Sequence, residues 1–291
     1  MSIAQRATRL RLRLLQRLEQ AGYGVKRPEP AEIDAARYAT YDRSALTGRR
    51  FINIGAGSFR HPYWTNVDYL SDWYANQQAD GFVGYDLTAL APLPFEAGSL
   101  QLAYSSHTIE HVGSAATANL LSECHRVLTP CGGVRITCPD AALLYRSVAG
   151  GHRSYWRWRE PWFLGPLSTA RSLAEVTLWD FLVREIATPR CRFYVHCKDP
   201  LQPAQVQAWF HALSPPAFLD RLVEGLAFDG QRPGDHIAWW NEDKLIAMMR
   251  QAGFKTVYAS RRNQSLFAPL THPALFDRTQ PHNSLYVEAM R

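Results

Sequence analysis

The chain has 291 residues, 46% of them hydrophobic, and its 32 basic and 26 acidic residues give a formal net charge of +6. It is long enough for one large core or a core plus an insertion, while no run reaches the ~18 apolar residues that a membrane-spanning helix needs and the N-terminal segment has no hydrophobic signal core. Cys124, Cys131, Cys138, Cys191 and Cys197 are odd in number and form no CxxC pair, which argues against a disulfide framework and predicts a reducing, cytoplasmic compartment.

Residues 1–27 hold Arg6, Arg9, Arg11, Arg13, Arg17, Lys26 and Arg27 against the single acid Glu19, so the whole net charge lies in this segment. The rest is balanced, which argues against a nucleic-acid substrate, since phosphate recognition calls for a basic face. Ile3, Leu10, Leu14 and Leu18 share one helical face beside a row formed by Arg9, Arg13 and Arg17. Such a helix suits either the body of the protein or a second subunit, as in a homodimer, or peripheral contact with an anionic membrane, and Gly22 and Gly24 stop it. Residues 30–48 read as a further helix and loop.

Strands are expected near 50–55, 65–69, 82–86, 100–105 and 132–138, with a helix over 114–128. The first ends in Asn53-Ile54-Gly55-Ala56-Gly57, where two glycines permit a sharp turn beside a ligand. A GxG on its own is also an ordinary strand-to-loop turn. The second strand closes on Asp68, placed to accept hydrogen bonds from the hydroxyls of a ribose. Asp68 follows Gly55 by thirteen residues, too few for the full helix that precedes the acid of a dinucleotide-binding unit.

Residues 150–235 are too long for a loop and read as a helical insertion, with helical periodicity over 173–186, 203–213 and 217–226. Seven of the nine tryptophans fall between Trp156 and Trp240, and Tyr155-Trp156-Arg157-Trp158-Arg159 interleaves aromatic rings with guanidinium groups. This composition suits the core of a helical insertion and equally a cap over an anionic, sugar or planar ligand. Asn241 to Phe254 reads as a capped helix stopped by Gly253, and 255–258 and 284–289 as two last strands. The alternation of strand and helix predicts an α/β, doubly wound, mostly parallel sheet. The expected division is 1–48 as a basic helix and lead-in, 49–150 as a ligand-binding core, 151–235 as the insertion and 236–291 as the end of the core sheet.

The glycine turn, the acid-tipped strands and Ser105-Ser106-His107-Thr108-Ile109-Glu110-His111 together resemble the class I S-adenosylmethionine-dependent methyltransferases, in particular their small-molecule branch. The resemblance is strong over about 50–140 and weaker over 236–260. It implies a seven-stranded Rossmann-like sheet whose last two strands form an antiparallel edge, with S-adenosylmethionine as cofactor. It also implies a small-molecule or sugar acceptor, and a short likeness in the leader segment points to cell-surface polysaccharide or secondary-metabolite assembly. By the same resemblance Asn53, Gly55, Ala56 and Gly57 face the methionine part, and Asp68, with Tyr69 beside it, holds the ribose. Asp86 and Leu87 meet the adenine, Ser105 and Ser106 end the fourth strand near the cofactor, and His107 or His236 is the candidate base. Asn53 and Phe59 depart from the family pattern of an acid before the glycines and a third glycine after them. A cofactor-binding protein without turnover is therefore the alternative.

His107 to His111 also matches HxxEH, a zinc-hydrolase signature. That signature belongs in mid-helix, whereas the residues before it read as a strand and Gly113 follows at once. With no third-ligand cluster evident, no residue is assigned to a metal.

Overall fold

In the computed structural model the structure describes residues 35–70 and 82–291. The basic helix expected over 1–27, and the membrane or dimer contact assigned to it, lie outside the described residues. The chain forms two compact units, Met1–Ala39 and Thr40–Arg291. Of the first, the described part is a single 3₁₀ turn, Ala35–Tyr38.

The second unit is built on strands β1 (Phe51–Ile54), β2 (Trp64–Asp68), β3 (Val83–Gly84), β4 (Leu100–Ser106), β5 (Leu128–Pro139), β6 (Thr256–Ala259) and β7 (Ser284–Met290). Their order across the sheet is β3-β2-β1-β4-β5-β7-β6. β7 runs antiparallel to both β5 and β6, and the other pairings are parallel. The helices are α1 (Arg43–Thr47), α2 (Ser114–Val127), α3 (Ala141–Ala149), α4 (Glu160–Phe163), α5 (Leu178–Ile186), α6 (Pro203–Ala212), α7 (Pro215–Val223) and α8 (Glu242–Gln251). No helix among the described residues is long and apolar enough to cross a membrane.

All four residues of β1 are buried, as expected where a parallel sheet is covered on both faces. Ile52, Ile54, Val134, Ile136 and Val287 share one cluster with Leu120, Leu121 and Cys124 of α2 and Leu245 and Met249 of α8. Alternation along the strands sends Phe51, Trp64, Tyr104 and Arg135 to the opposite face. Residues 260–283, which link β6 to β7, cover it: the Phe276 ring lies 5.0 Å from both Trp64 and Tyr104. Phe59 packs here too, 5.5 Å from Phe276 and 6.0 Å from Trp64. The departure from a third glycine is thus a packing residue.

Residues between α3 and α8 form their own core, in which Trp156, Phe163, Phe181, Val206, Phe218 and Leu222 cluster with Leu144 and Trp239. Three boundaries differ from the periodicity. The helix expected from 173 begins at Leu178 because Thr177 and Asp180 close a capping box, which satisfies the first free amides. The helix expected from 217 begins at Pro215, since proline lacks the amide that the first turn would leave unpaired. It stops at Val223, just before Gly225 turns with φ +74°.

Candidate active site

The parallel register brings four strand ends to one edge of the sheet. Ile54 lies beside Val67 and Ser105, and Asp68 beside Gly84. Gly55, Ala56 and Gly57 follow β1 with φ of +67° at Gly55 and +50° at Gly57, a region that side chains resist. A Cβ on Gly55 would stand 2.1 Å from Thr108 Oγ1, whereas one on Gly57 would meet no protein atom within 4 Å. Gly55 is therefore required by the protein itself, while Gly57 leaves open space at the turn.

The Asp68 carboxylate faces this turn. Its Oδ2 accepts from the Gly57 amide at 2.7 Å and its Oδ1 from the Tyr69 amide at 2.8 Å. Burial raises the Asp68 pKa, against the lowering effect of these two amides. Each carboxylate oxygen keeps a second lone pair for a ligand hydroxyl. The Tyr69 ring meets Phe228 of the insertion edge to face at 5.4 Å. Asn53 is buried in β1.

Asp86 has a local duty that the sequence reading missed. Its Oδ1 accepts from the Thr88 amide and hydroxyl at 2.8 and 2.7 Å, capping the 3₁₀ turn Leu87–Ala89. Leu87 leans on the main core. At the end of β4 the buried Ser105 Oγ has no hydrogen-bond partner among the described residues.

His107 lies just past the end of β4. It adopts φ +53°, its Nδ1 stands 3.0 Å from Glu110 Oε1, and its Nε2 lies 2.7 Å from Ser284 Oγ. The ring is thus held between Glu110 on one side and Ser284 of β7 on the other. His236 is buried, with Nδ1 2.6 Å from the Glu185 carbonyl. Burial, reinforced by His111 and Arg184, pushes its pKa well below the usual imidazole value.

The HxxEH residues also differ from the zinc-hydrolase pattern: the segment is a strand end followed by the 3₁₀ turn Ile109–His111, not mid-helix. Yet the fold supplies the partner that the sequence lacked. The amides of Ile237 and Ala238 both donate to the Glu110 carbonyl, and this tie brings His236 to Glu110 and His111. One ligand atom from each of these three residues lies within 4.8 Å of the others.

Residues 64–136 match the family model described as a methyltransferase domain. This span holds β2 to β5, and the sheet around it has the antiparallel β6–β7 edge that the resemblance implied. Over these residues the chain is similar to that family. No curated protein sequence matches it. Among solved structures, an S-adenosylmethionine-dependent methyltransferase from Mesorhizobium loti is similar at 16% identity and a TM-score of 0.39, with 88% of this chain and 96% of that one covered. A second, from Archaeoglobus fulgidus, is similar at 13% identity and a TM-score of 0.39, with 88% and 92% covered. Likeness this low says nothing about the acceptor.

The residues present fit S-adenosylmethionine, the cofactor of this family. The open space at Gly57 admits the ligand backbone, the Asp68 carboxylate retains acceptor capacity for ribose hydroxyls, and the Ser105 hydroxyl is unpartnered. Gly55→Ala is expected to weaken cofactor binding by about five- to 150-fold, because displacing Thr108 and holding alanine at positive φ costs about 1–3 kcal/mol. Isothermal titration with S-adenosylmethionine measures this. An unchanged dissociation constant would show that the turn yields without cost.

Proposed function

We propose that this protein is a class I methyltransferase that moves the methyl group of S-adenosylmethionine to a small-molecule or sugar acceptor, of the kind handled in cell-surface polysaccharide or secondary-metabolite assembly. The observation that carries the reading is the glycine turn held by Asp68 at the shared edge of β1 to β4. Gly55, Ala56 and Gly57 take the methionine part, Asp68 and Tyr69 the ribose side, Asp86 and Leu87 the adenine side, and Ser105 and Ser106 the floor. The insertion, which reaches Tyr69 through Phe228, forms the acceptor side.

The bound cofactor supplies an already activated methyl on sulfur. The chain's own task is then to align the acceptor with that methyl and to exclude water, and alignment alone removes a large part of the barrier. With both nitrogens of His107 engaged, this residue orients the turn after β4 rather than removing a proton. His107→Gln is accordingly expected to retain most of the turnover rate.

Asp68→Asn is expected to weaken S-adenosylmethionine binding by about 1–3 kcal/mol, the usual value of hydrogen bonds to a charged group. Titration of the folded variant checks this, and unchanged affinity would remove Asp68 from the ribose site. Incubation with S-adenosylmethionine and a panel of sugars, phenols and amines, read as S-adenosylhomocysteine formed, tests the acceptor class. Binding without turnover on any acceptor would favour a non-catalytic binder.

A further inference from the structure

Glu110 is an acid in an unusual position. It is 1% exposed, its Oε2 has no hydrogen-bond partner among the described residues, and only imidazoles stand at its Oε1. Its nearest cationic or neutral partners are imidazoles: His107 Nδ1 at 3.0 Å and His111 Nε2 at 3.9 Å from Oε1. Burial disfavours its charge, but His107 and His111 outweigh burial and hold its pKa below the usual carboxylate value.

The two histidines around it are set in matching tautomers. His111 Nδ1 lies 3.1 Å from the Asp235 carbonyl and His236 Nδ1 lies 2.6 Å from the Glu185 carbonyl. A carbonyl only accepts, so each Nδ1 carries the proton and each Nε2 presents a lone pair. The rings stand 5.0 Å apart at 73°. Imidazoles that donate one nitrogen to a backbone carbonyl and offer the other are oriented as metal ligands are. Two lone pairs and a carboxylate that converge within 4.8 Å repel one another unless a cation lies between them.

We propose that Glu110, His111 and His236 bind one divalent transition-metal ion of the zinc class. Two imidazoles and one carboxylate form a donor set suited to zinc and to its neighbours cobalt and nickel, and a softer site built on thiolates is not available at these positions. Three protein donors leave at least one coordination position for a water or another oxygen ligand. The site draws on the turn after β4 and on the segment that returns from the insertion, so an ion here joins the insertion to the sheet.

The test uses the full chain, stripped with chelator and titrated with Zn²⁺ alone. One ion per chain is expected, with affinity at least about tenfold weaker in His236→Ala and in Glu110→Gln, since even the loss of groups behind the ligands costs 10–100-fold. Circular dichroism verifies that each variant is folded. If a variant fails to fold, the wild type loaded with Co²⁺ decides: weak visible bands without a sulfur charge-transfer band are expected. The absence of stoichiometric binding overturns the proposal, as does Zn²⁺ affinity unchanged in folded His236→Ala or a sulfur-to-cobalt band that places the ion on cysteine. The titration needs no S-adenosylmethionine, so its outcome is independent of methyl transfer.

Discussion

Arg135→Met is expected to destabilise the protein by about 3–5 kcal/mol, the usual consequence of removing one partner from a buried ion pair. Arg135 comes from the middle of β5, and its guanidinium meets Asp277 at 2.6 Å and Glu288 at 2.5 Å, with all three side chains fully buried. Its nitrogens also donate to the carbonyls of Arg261 and Gln264. Burial lowers the Arg135 pKa, but the two carboxylates outweigh it and hold the group above the usual arginine value. Methionine fills much of the volume and leaves two carboxylates without a counter-charge. The expected loss is the cost of those orphaned charges, so Asp277→Asn and Glu288→Gln added to Arg135→Met should recover much of it. Urea unfolding of the three proteins measures both effects. A loss below about 1 kcal/mol in the single variant would contradict the assignment, because only an exposed pair is worth so little.

Trp156→Ala is expected to cost about 3–5 kcal/mol, the range for truncating a buried aromatic to alanine. Trp156 is fully buried and its ring stacks 5.4 Å from Phe181 and 6.0 Å from Trp158. Its indole nitrogen has no hydrogen-bond partner among the described residues, so the loss is one of packing. The main-sheet core does not contain this residue. Unfolding by urea, followed by tryptophan fluorescence and by far-UV circular dichroism, should give one shifted transition, since the insertion and the sheet lie in the same compact unit. Two separated transitions would show that the insertion unfolds on its own.

The strands were legible because a parallel sheet demands short apolar runs bounded by turn residues. β1 at Phe51–Ile54 and α2 at Ser114–Val127 fall within a residue or two of the periodic pattern. Helix starts were less legible where a cap outranked periodicity, as Thr177 does for α5. The glycine turn and Asp68 could be read together because they lie near each other in the chain and answer to one local requirement, a sharp turn beside an acceptor. Asp86 looked like a ligand residue, and its cap on the turn at Leu87–Ala89 depends on backbone geometry that a single acid does not reveal.

By itself the sequence determined the order of strands and helices, the tight turn after β1 and the acids at the strand ends, since these follow from propensity, periodicity and the steric freedom of glycine. Only the tertiary structure decided what the polar residues do. The ion pairs of Arg135 join positions 142 and 153 residues apart. The backbone tie from Ile237 and Ala238 to Glu110 carries His236 across the insertion to His111. Both nitrogens of His107 are claimed, one by Glu110 and the other by Ser284 of β7. Hydrophobic pattern encodes which face of an element is buried, but it carries no record of which distant polar group arrives on that face, and at short range that partner sets the chemistry.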